Sequence, residues 1–395
     1  MVIKPRVRGF ICTTAHPLGC EKNVYAEAEY AKEKLAGKNG PKRVLVVGSS
    51  AGYGLTSRIT AAVGYNAATV GVFFERPPSG GKTGSAGWYN NLAFEKLASE
   101  NGLSYKSING DAFSNEAKDQ AVQAIKEIMG QVDLVVYSLG APRRKDPETG
   151  EVYHSVIKPI GSDFTGKTVD FHTGNVFEMS VSAASEEEVA GSVKVMGGED
   201  WKLWIEKLSK EGVLADNAVT VAYSYVGPQL THDIYKSGSI GKAKEDLEEK
   251  CAEISKFLQA KGGKAFVSVN KSLVTQSSAA IPVLPLYISI IFKVMKENGT
   301  HEECMHQIVR LYRDMLYANG MPESWDNVPV DEAGRIRIDE LEMNPEAQKR
   351  VDELWDKATT ENIWEISDLK GYNDNFYSLF GFGVDGVDYD ADVEI

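Results

Sequence analysis

The residues best equipped for chemistry cluster in VAYSYVGPQLTHDIYKSGSIGKAK, which holds Tyr223, Tyr225, Tyr235, Lys242 and Lys244. A phenol with a pKa near 10 is a poor acid at neutral pH unless a nearby cation stabilises the phenolate it leaves behind. A lysine supplies that cation. Two phenols converging on one carbonyl oxygen would form an oxyanion site for an enolate. The residue four beyond Tyr235 is Ser239, which offers no charge. Lys244 is nine residues on, and nine steps of about 100° put the two on opposite faces of an unbroken helix. Cooperation therefore requires a break, and Gly238 and Ser239 offer one, because glycine loosens the backbone and serine is a good N-cap. A helix starting near Ser239 carries Lys244 in its first turns and leaves Tyr235 on the preceding loop, within reach of the same ligand. Tyr225, two residues past Tyr223 on the same strand face, adds a second hydroxyl. Tyrosines that merely pack, and a solvated Lys244–Glu248 pair at i+4, form the competing reading.

The scaffold for these groups is legible upstream. Residues 42 to 140 alternate short apolar runs (RVLVVG, AATVGVFFE, YKSINGD, DLVVYSLG) with amphipathic stretches, a β-α-β-α-β-α-β pattern. Strands so continuously apolar are expected to be covered on both faces, which favours a parallel, doubly wound α/β sheet. Gly48, Gly52 and Gly54 form G-x-x-x-G-x-G between the first strand and its helix. Side-chain-free positions there permit a tight turn and let a pyrophosphate sit on helix N-terminal amides. Glu75 ends the next strand, where a carboxylate accepts hydrogen bonds from both ribose hydroxyls of an adenosine and repels a 2′-phosphate. A solvated strand-end charge is the plainer alternative, and Arg76 keeps some NADP tolerance open. Asp111 and Ala112 close the third strand and would border the adenine. Leu139 and Gly140 close the fourth and would border the ribose and nicotinamide.

With 395 residues, 43 % of them hydrophobic, the chain has material for a large core. A net charge of -13 argues against sequence-independent binding to nucleic acid or an anionic membrane surface, both of which need a basic face. The N-terminus lacks the pattern of a secretory signal, so the expected compartment is the cytoplasm. AAIPVLPLYISIIF (279–292) is too short to span a bilayer. Cys12, His16 and Cys20, and His301, Cys304 and His306, supply no full ligand set at a recognised zinc spacing, and no metal is expected. The four cysteines are expected to be reduced thiols.

We expect one elaborated domain over 1–395. Segments 42–140 and 200–275 form the nucleotide-binding core, 142–198 an insertion of hairpins and loops, and 276–395 a helical substrate-side region with an acidic tail. The second half continues the sheet with strands at AVTVAYSYVG and AFVSVNKSLVT and a helix between them.

Taken in order, GSSAGYG, VFFE, AGWYNN, NGDAFSNEAK, YSLGAPRR, KVMGGEDW, YSYVG, Tyr235-x8-Lys244, SVNKSLVTQSSAAIPVLPLY and FGFGVDGVDYDADV resemble the trans-2-enoyl thioester reductases of the FabV/TER type along essentially the whole chain. The resemblance implies an elaborated Rossmann fold, usually monomeric, and NADH-dependent reduction of the 2,3 double bond of an enoyl thioester. It implies Tyr235 as proton donor, Tyr225 on the substrate carbonyl, and Lys244 on the cofactor. The NAD contacts it implies are Gly48, Ser49, Ser50, Ala51, Gly52, Tyr53, Phe74, Glu75, Asp111, Ala112, Leu139, Gly140, Leu273, Val274 and Thr275. Gly140 departs from the family, whose members tend to carry alanine there. The carrier of the acyl group, coenzyme A or acyl carrier protein, stays open. The apolar 279–292 stretch is suited to wall the acyl chain, core packing being the plainer alternative, and Arg143, Arg144 and Lys145 are suited to meet a phosphorylated carrier or equally to lie in a solvated loop. A ketone or alcohol dehydrogenase and a non-catalytic NADH-binding protein are the alternatives.

Overall fold

The computed structural model describes residues 1–9 and 11–395. A short hairpin, β1 (Val7–Arg8) and β2 (Ile11–Cys12), leads into α1 (Pro17–Leu35), whose N-cap His16 accepts from the Gly19 amide. The expected alternation follows: β3 (Arg43–Val47), α2 (Gly52–Ile59), β4 (Ala68–Phe73), α3 (Ala86–Glu100), β5 (Tyr105–Asn109), α4 (Asn115–Ile128) and β6 (Val132–Tyr137). The next segment holds two antiparallel hairpins, β7 (Arg143–Lys145) with β8 (Val152–His154) and β9 (Phe164–Asp170) with β10 (Asn175–Val181). It also holds a helix that the expectation of hairpins and loops omits, α5 (Glu186–Met196). Ser185 and Glu188 cap it reciprocally, the serine-to-glutamate spacing that marks a helix start.

The chain then returns to the sheet through α6 (Glu199–Lys210), β11 (Leu214–Ser224), α7 (Ser239–Leu258) and β12 (Lys264–Val269). Beyond it lie α8 (Leu284–Glu297), α9 (Cys304–Arg310), β13 (Ile336–Arg337), α10 (Pro345–Lys357), α11 (Ile363–Ile366) and α12 (Leu369–Ser378).

Seven strands make one parallel sheet in the order β13-β12-β11-β6-β3-β4-β5. Successive strand residues face opposite sides, so Val44 and Val46 pack under α1, α2, α3 and α9, while Leu45 and Val47 pack under α4, α6 and α7. This double cover is what the unbroken apolar strands require, and the fold is an elaborated Rossmann-like α/β sheet. Strand order reverses between β3 and β6, and a doubly wound sheet opens its ligand crevice at the carboxyl ends beside such a switch.

A third core gathers α8, α10 and α12 against β9. The 279–292 stretch belongs here: Leu284 to Phe292 are all buried, and no residue of the stretch lines the large cleft described below. The stretch thus packs in this core, the plainer of its two readings, with Leu230 and Tyr235 against the same cluster. Pro285 sits in the first turn of α8, and Val283 before it adopts φ +74, a left-handed conformation that a β-branched residue rarely takes. Among the described residues no helix is long and apolar enough to cross a membrane.

Candidate active site

A cleft of about 1740 Å³ runs along the carboxyl ends of the strands. Its floor is the turn between β3 and α2. Gly48 has φ +89, and a Cβ there would meet the Ser138 carbonyl oxygen at 2.0 Å, while one on Gly54 would meet the Gly48 oxygen at 1.8 Å. Only glycine lets the strand, the turn and the helix approach so closely. The N-cap of α2, Ala51, supplies no side-chain hydrogen bond. The first amides of α2 are thus left for an anion, the fit a pyrophosphate requires.

Glu75 lies beside this turn. The Ser50 hydroxyl donates to its Oε1 at 2.7 Å, and its backbone amide donates to Asn109 Oδ1 at 2.9 Å. Gly87 of α3 has its Cα side against the carboxylate, since a Cβ there would meet Oε1 at 2.1 Å. The carboxylate is therefore held in a fixed place on the cleft wall. Phe74 is 74 % exposed next to it, a bare aromatic face on the same wall. Asp111 and Ala112 continue this end of the cleft, and Leu139 and Gly140 line the other. Gly140 has room for a methyl, whose nearest neighbour would be Met196 Cε at 3.9 Å. Leu273, Val274 and Thr275, just past β12, close the far wall.

Of the expected cofactor set, all but Ser49 and Lys244 line this cleft. Ser49 is fully buried and its hydroxyl donates inward to the Val72 carbonyl at 3.3 Å. Tyr53 lines the cleft with its ring while its hydroxyl bonds the Lys271 carbonyl at 2.8 Å and Gln307 at 3.0 Å.

Tyr225, Tyr235 and Lys244 gather at the carboxyl edge of β11, half-buried and outside the cleft's open lining. The strand ends at Ser224, so Tyr223 and Tyr225 do not share a face as a continued strand would have it. Tyr223 turns to Ser57, hydroxyl to hydroxyl at 2.6 Å, and to the Tyr53 ring. Tyr225 packs edge-on against Tyr235, ring centres 5.2 Å apart. The Tyr225 hydroxyl is shielded from solvent and meets no hydrogen-bond partner among the described residues, an unusual state for a buried polar atom. Burial pushes the Tyr235 phenol up to about 12. Burial, with the Glu342 charge and Tyr235 adding, pushes Tyr225 well above the ordinary phenol. Both are neutral donors at pH 7.

The helix break falls where expected, with one correction. Gly238, not Ser239, is the N-cap of α7, and the Ser239 hydroxyl donates instead to the Val156 carbonyl at 2.6 Å. Lys244 sits in the second turn of α7, and its Nζ donates to the Tyr223 carbonyl at 3.0 Å. The Lys244–Glu248 pair does not form. Glu248 bonds Arg335 at 3.1 Å, and burial pulls the Lys244 ammonium down to about 8 against the residual pull of Glu248. Lys242 is exposed and bonds Glu245.

A buried carboxylate behind the far wall has no local signal in the sequence. Glu342 accepts from the Ser272 amide at 2.9 Å, the Ser272 hydroxyl at 2.6 Å and the Tyr287 hydroxyl at 2.8 Å. It pins the start of the 272–275 segment that lines the cleft. Arg144 is also corrected: it is 1 % exposed, bonded to Glu199 at 2.7 Å, and faces no ligand.

Three family models match the chain. Residues 2–80 match the "NAD(P)H binding domain of trans-2-enoyl-CoA reductase", 82–317 the "Trans-2-enoyl-CoA reductase catalytic region", and 330–393 the "Enoyl reductase FAD binding domain". An enoyl-[acyl-carrier-protein] reductase [NADH] of Flavobacterium johnsoniae is 58 % identical over 99 % of this chain and 97 % of its own. A trans-2-enoyl-CoA reductase [NADH] of Ruminiclostridium cellulolyticum is 54 % identical over 100 % of this chain and 98 % of its own. The crystal structure of Treponema denticola trans-2-enoyl-CoA reductase in complex with NAD superposes with a TM-score of 0.95 at 51 % identity, covering 100 % of this chain and 98 % of that one.

The flavin named for 330–393 does not fit the residues there. Val351, Leu354, Leu369, Tyr372 and Phe376 bury themselves in the third core, and Gly381 lies against the His16 and Cys20 backbone. The segment reaches the cleft only through Asn375, Ser378, Leu379 and Phe380. No glycine turn between a strand and a helix occurs in it.

Proposed function

The chain belongs to the trans-2-enoyl-CoA reductase family, and we propose that it reduces the 2,3 double bond of trans-2-enoyl thioesters with NADH, giving the saturated acyl thioester for fatty acid synthesis. The observation that carries the reading is the pair of neutral phenols, Tyr225 and Tyr235, packed edge-on at the carboxyl end of β11, a strand of the same sheet that floors the dinucleotide cleft. Coenzyme A and acyl carrier protein both remain carriers of the acyl group under this reading. The setting we propose, from the family resemblance, is a cytoplasmic monomer without a nucleic-acid or membrane partner.

The dihydronicotinamide, when bound, supplies a hydride to C3 of the enoyl group. The chain's residues handle the rest. The glycine turn of residues 48–54 would carry the pyrophosphate, and Glu75 would take the adenosine ribose hydroxyls and disfavour a 2′-phosphate. Tyr225 and Tyr235 donate to the thioester oxygen as it becomes an enolate. Such donors accelerate the step because they act on charge absent from the ground state. Tyr235 then delivers its proton to C2, leaving a phenolate that takes a proton from solvent. Lys244, cationic at neutral pH, holds the cofactor and stabilises that phenolate.

The test is NADH oxidation with crotonyl-CoA and with a 3-ketoacyl-CoA. Turnover of the enoyl substrate is expected, and turnover of the ketone alone would make the chain a ketone reductase. Tyr235→Phe should lower kcat by about 10² to 10⁴, the range of a lost general acid, with NADH binding retained. An unchanged rate removes Tyr235 from the mechanism, and NADH binding without turnover of either substrate makes the chain a non-catalytic binder.

A further inference from the structure

We infer that the cleft carries a second phosphate site, built by Arg6, Arg8, Lys82, Arg143 and Lys145, which binds the phosphates of a coenzyme A thioester. The inference rests on the enoyl-thioester reading. All five side chains line the cleft and are exposed. Among the described residues none of them reaches a carboxylate, although the chain carries a net charge of -13. Neighbouring cations are paired: Lys4 with Asp390 at 2.6 Å, Arg144 with Glu199 at 2.7 Å, and Lys194 with Glu199 at 2.7 Å. Unpaired cations concentrated on one concavity of an acidic protein raise the local concentration of an anionic ligand.

The site stands on anchored backbone. Residues of a strand alternate in direction, and in β7 Arg144 points inward to Glu199, the Lys194 carbonyl and the face of Phe113. Its neighbours Arg143 and Lys145 are thereby turned outward along the cleft. Elsewhere on the lining the Arg6 amide bonds Thr14 Oγ1 at 3.0 Å, and the Ala15 amide bonds Thr83 Oγ1 at 3.2 Å. Those bonds tie the N-terminal hairpin to the loop bearing Lys82. Arg76, beside Glu75, belongs to the adenosine end and is left out.

Size supports a second occupant. The cleft, at about 1740 Å³, exceeds the roughly 300–1,000 Å³ of a pocket for one small ligand. The dinucleotide's pyrophosphate already has the glycine turn, so the five cations are free for other phosphates. Coenzyme A offers a diphosphate and a 3′-phosphomonoester carrying about -2 near pH 7. Because the cations line the walls of a concavity and not a convex face, a small phosphorylated ligand fits them better than the acidic surface of a carrier protein.

The experiment compares crotonyl-CoA with the crotonyl thioester of N-acetylcysteamine, which carries the same enoyl group and no phosphate. Arg143→Ala/Lys145→Ala and Arg6→Ala/Arg8→Ala should each raise KM for crotonyl-CoA about tenfold, the scale of a lost charge-assisted contact. KM for the phosphate-free thioester and for NADH should move less than twofold. Lys256→Ala/Lys349→Ala, which removes two exposed cations away from the cleft, serves as the charge control and should shift neither. Equal rises for both thioesters, a rise for NADH, or an unmoved KM for crotonyl-CoA would overturn the inference. So would a rise confined to an enoyl-carrier-protein substrate, which would assign the cations to an acidic protein. If the unsubstituted protein turns over neither crotonyl thioester, the enoyl-reductase reading itself fails, an outcome distinct from all of these.

Discussion

Glu27 on α1 lines the cleft wall together with Glu303 and Cys304, and its carboxyl is pushed up to about 7. Burial is the main cause, the like charge of Glu303 adds, and the hydrogen bond from Thr56 Oγ1 at 3.1 Å opposes. In the unfolded chain the same group titrates near 4.5. Between those values the folded protein holds the proton that the unfolded chain has released, so stability falls as pH rises through the window. Above about 7 the folded state carries a poorly solvated carboxylate. Glu27→Gln removes that charge and keeps a carbonyl oxygen for Thr56.

The interval from 4.5 to about 7 sets a ceiling of about 3.5 kcal/mol on the gain, at about 1.4 kcal/mol for each tenfold change in proton affinity. Water in the open cleft screens part of this, leaving about 1–2 kcal/mol at pH 8 and a few tenths at pH 5. Urea unfolding at both pH values reads the difference as a shift in midpoint with an unchanged slope. A gain of equal size at pH 5 and pH 8, or a loss at pH 8, would refute the assignment, because only a titrating carboxyl ties the effect to that window.

Three further outcomes follow from the cofactor side. Glu75→Ala should narrow the preference for NADH over NADPH, read as the ratio of kcat/KM values, and an unaltered ratio would contradict the ribose assignment. Lys244 loses its charge as pH rises through about 8, so KM for NADH should climb above that pH and stay level below it. Lys244→Arg, which keeps its charge, should flatten the limb, and a flat profile in the unsubstituted protein from pH 7 to 9 would count against the lysine as a cofactor-binding cation. Gly48→Ala places a Cβ 2.0 Å from the Ser138 oxygen at φ +89, where the left-handed backbone alone costs about 1–2 kcal/mol. NADH affinity should drop at least tenfold while far-ultraviolet circular dichroism stays folded, and unchanged affinity would show that the turn does not carry the pyrophosphate.

How much of this was legible depends on the range of the interaction. The strands were legible because burial on both faces demands unbroken apolar runs such as Val44 to Val47. The glycine turn was legible because close backbone approach tolerates no Cβ at Gly48 or Gly54. The start of α7 was legible to within one residue, Gly238 taking the cap that Ser239 was expected to take. α5 was missed although Ser185 and Glu188 stood at capping-box spacing, since the polar β-like pieces around it dominated the reading. Glu342 on Ser272, and Glu27 beside Glu303, were out of reach. Each joins chain positions 70 residues or more apart, and no local period encodes such a meeting. The 279–292 stretch left two readings open, because an apolar run is equally suited to a ligand wall and to a core.

The nine-residue spacing of Tyr235 and Lys244 has a physical cause in the turn between them. The Tyr235 carbonyl accepts from the Gly238 and Gly241 amides, each at 3.1 Å, so the tyrosine's backbone is fastened to the first turn of α7 while its ring leaves toward Tyr225. That fold requires bare backbone at both glycines. A Cβ on Gly241 would meet the Lys236 oxygen at 1.8 Å, and one on Gly238 would lie 2.7 Å from both the Ile234 and Lys158 oxygens. Position 239, four residues past Tyr235, is fully buried and bonded to the Val156 carbonyl. A lysine there would bury its ammonium in the inserted segment, away from the strand edge. The second turn of α7 is where the helix next faces that edge, and Lys244 stands there, its ammonium on the Tyr223 carbonyl. The long spacing is thus what a capped turn requires in order to bring a phenol and a cation to the same edge of the sheet.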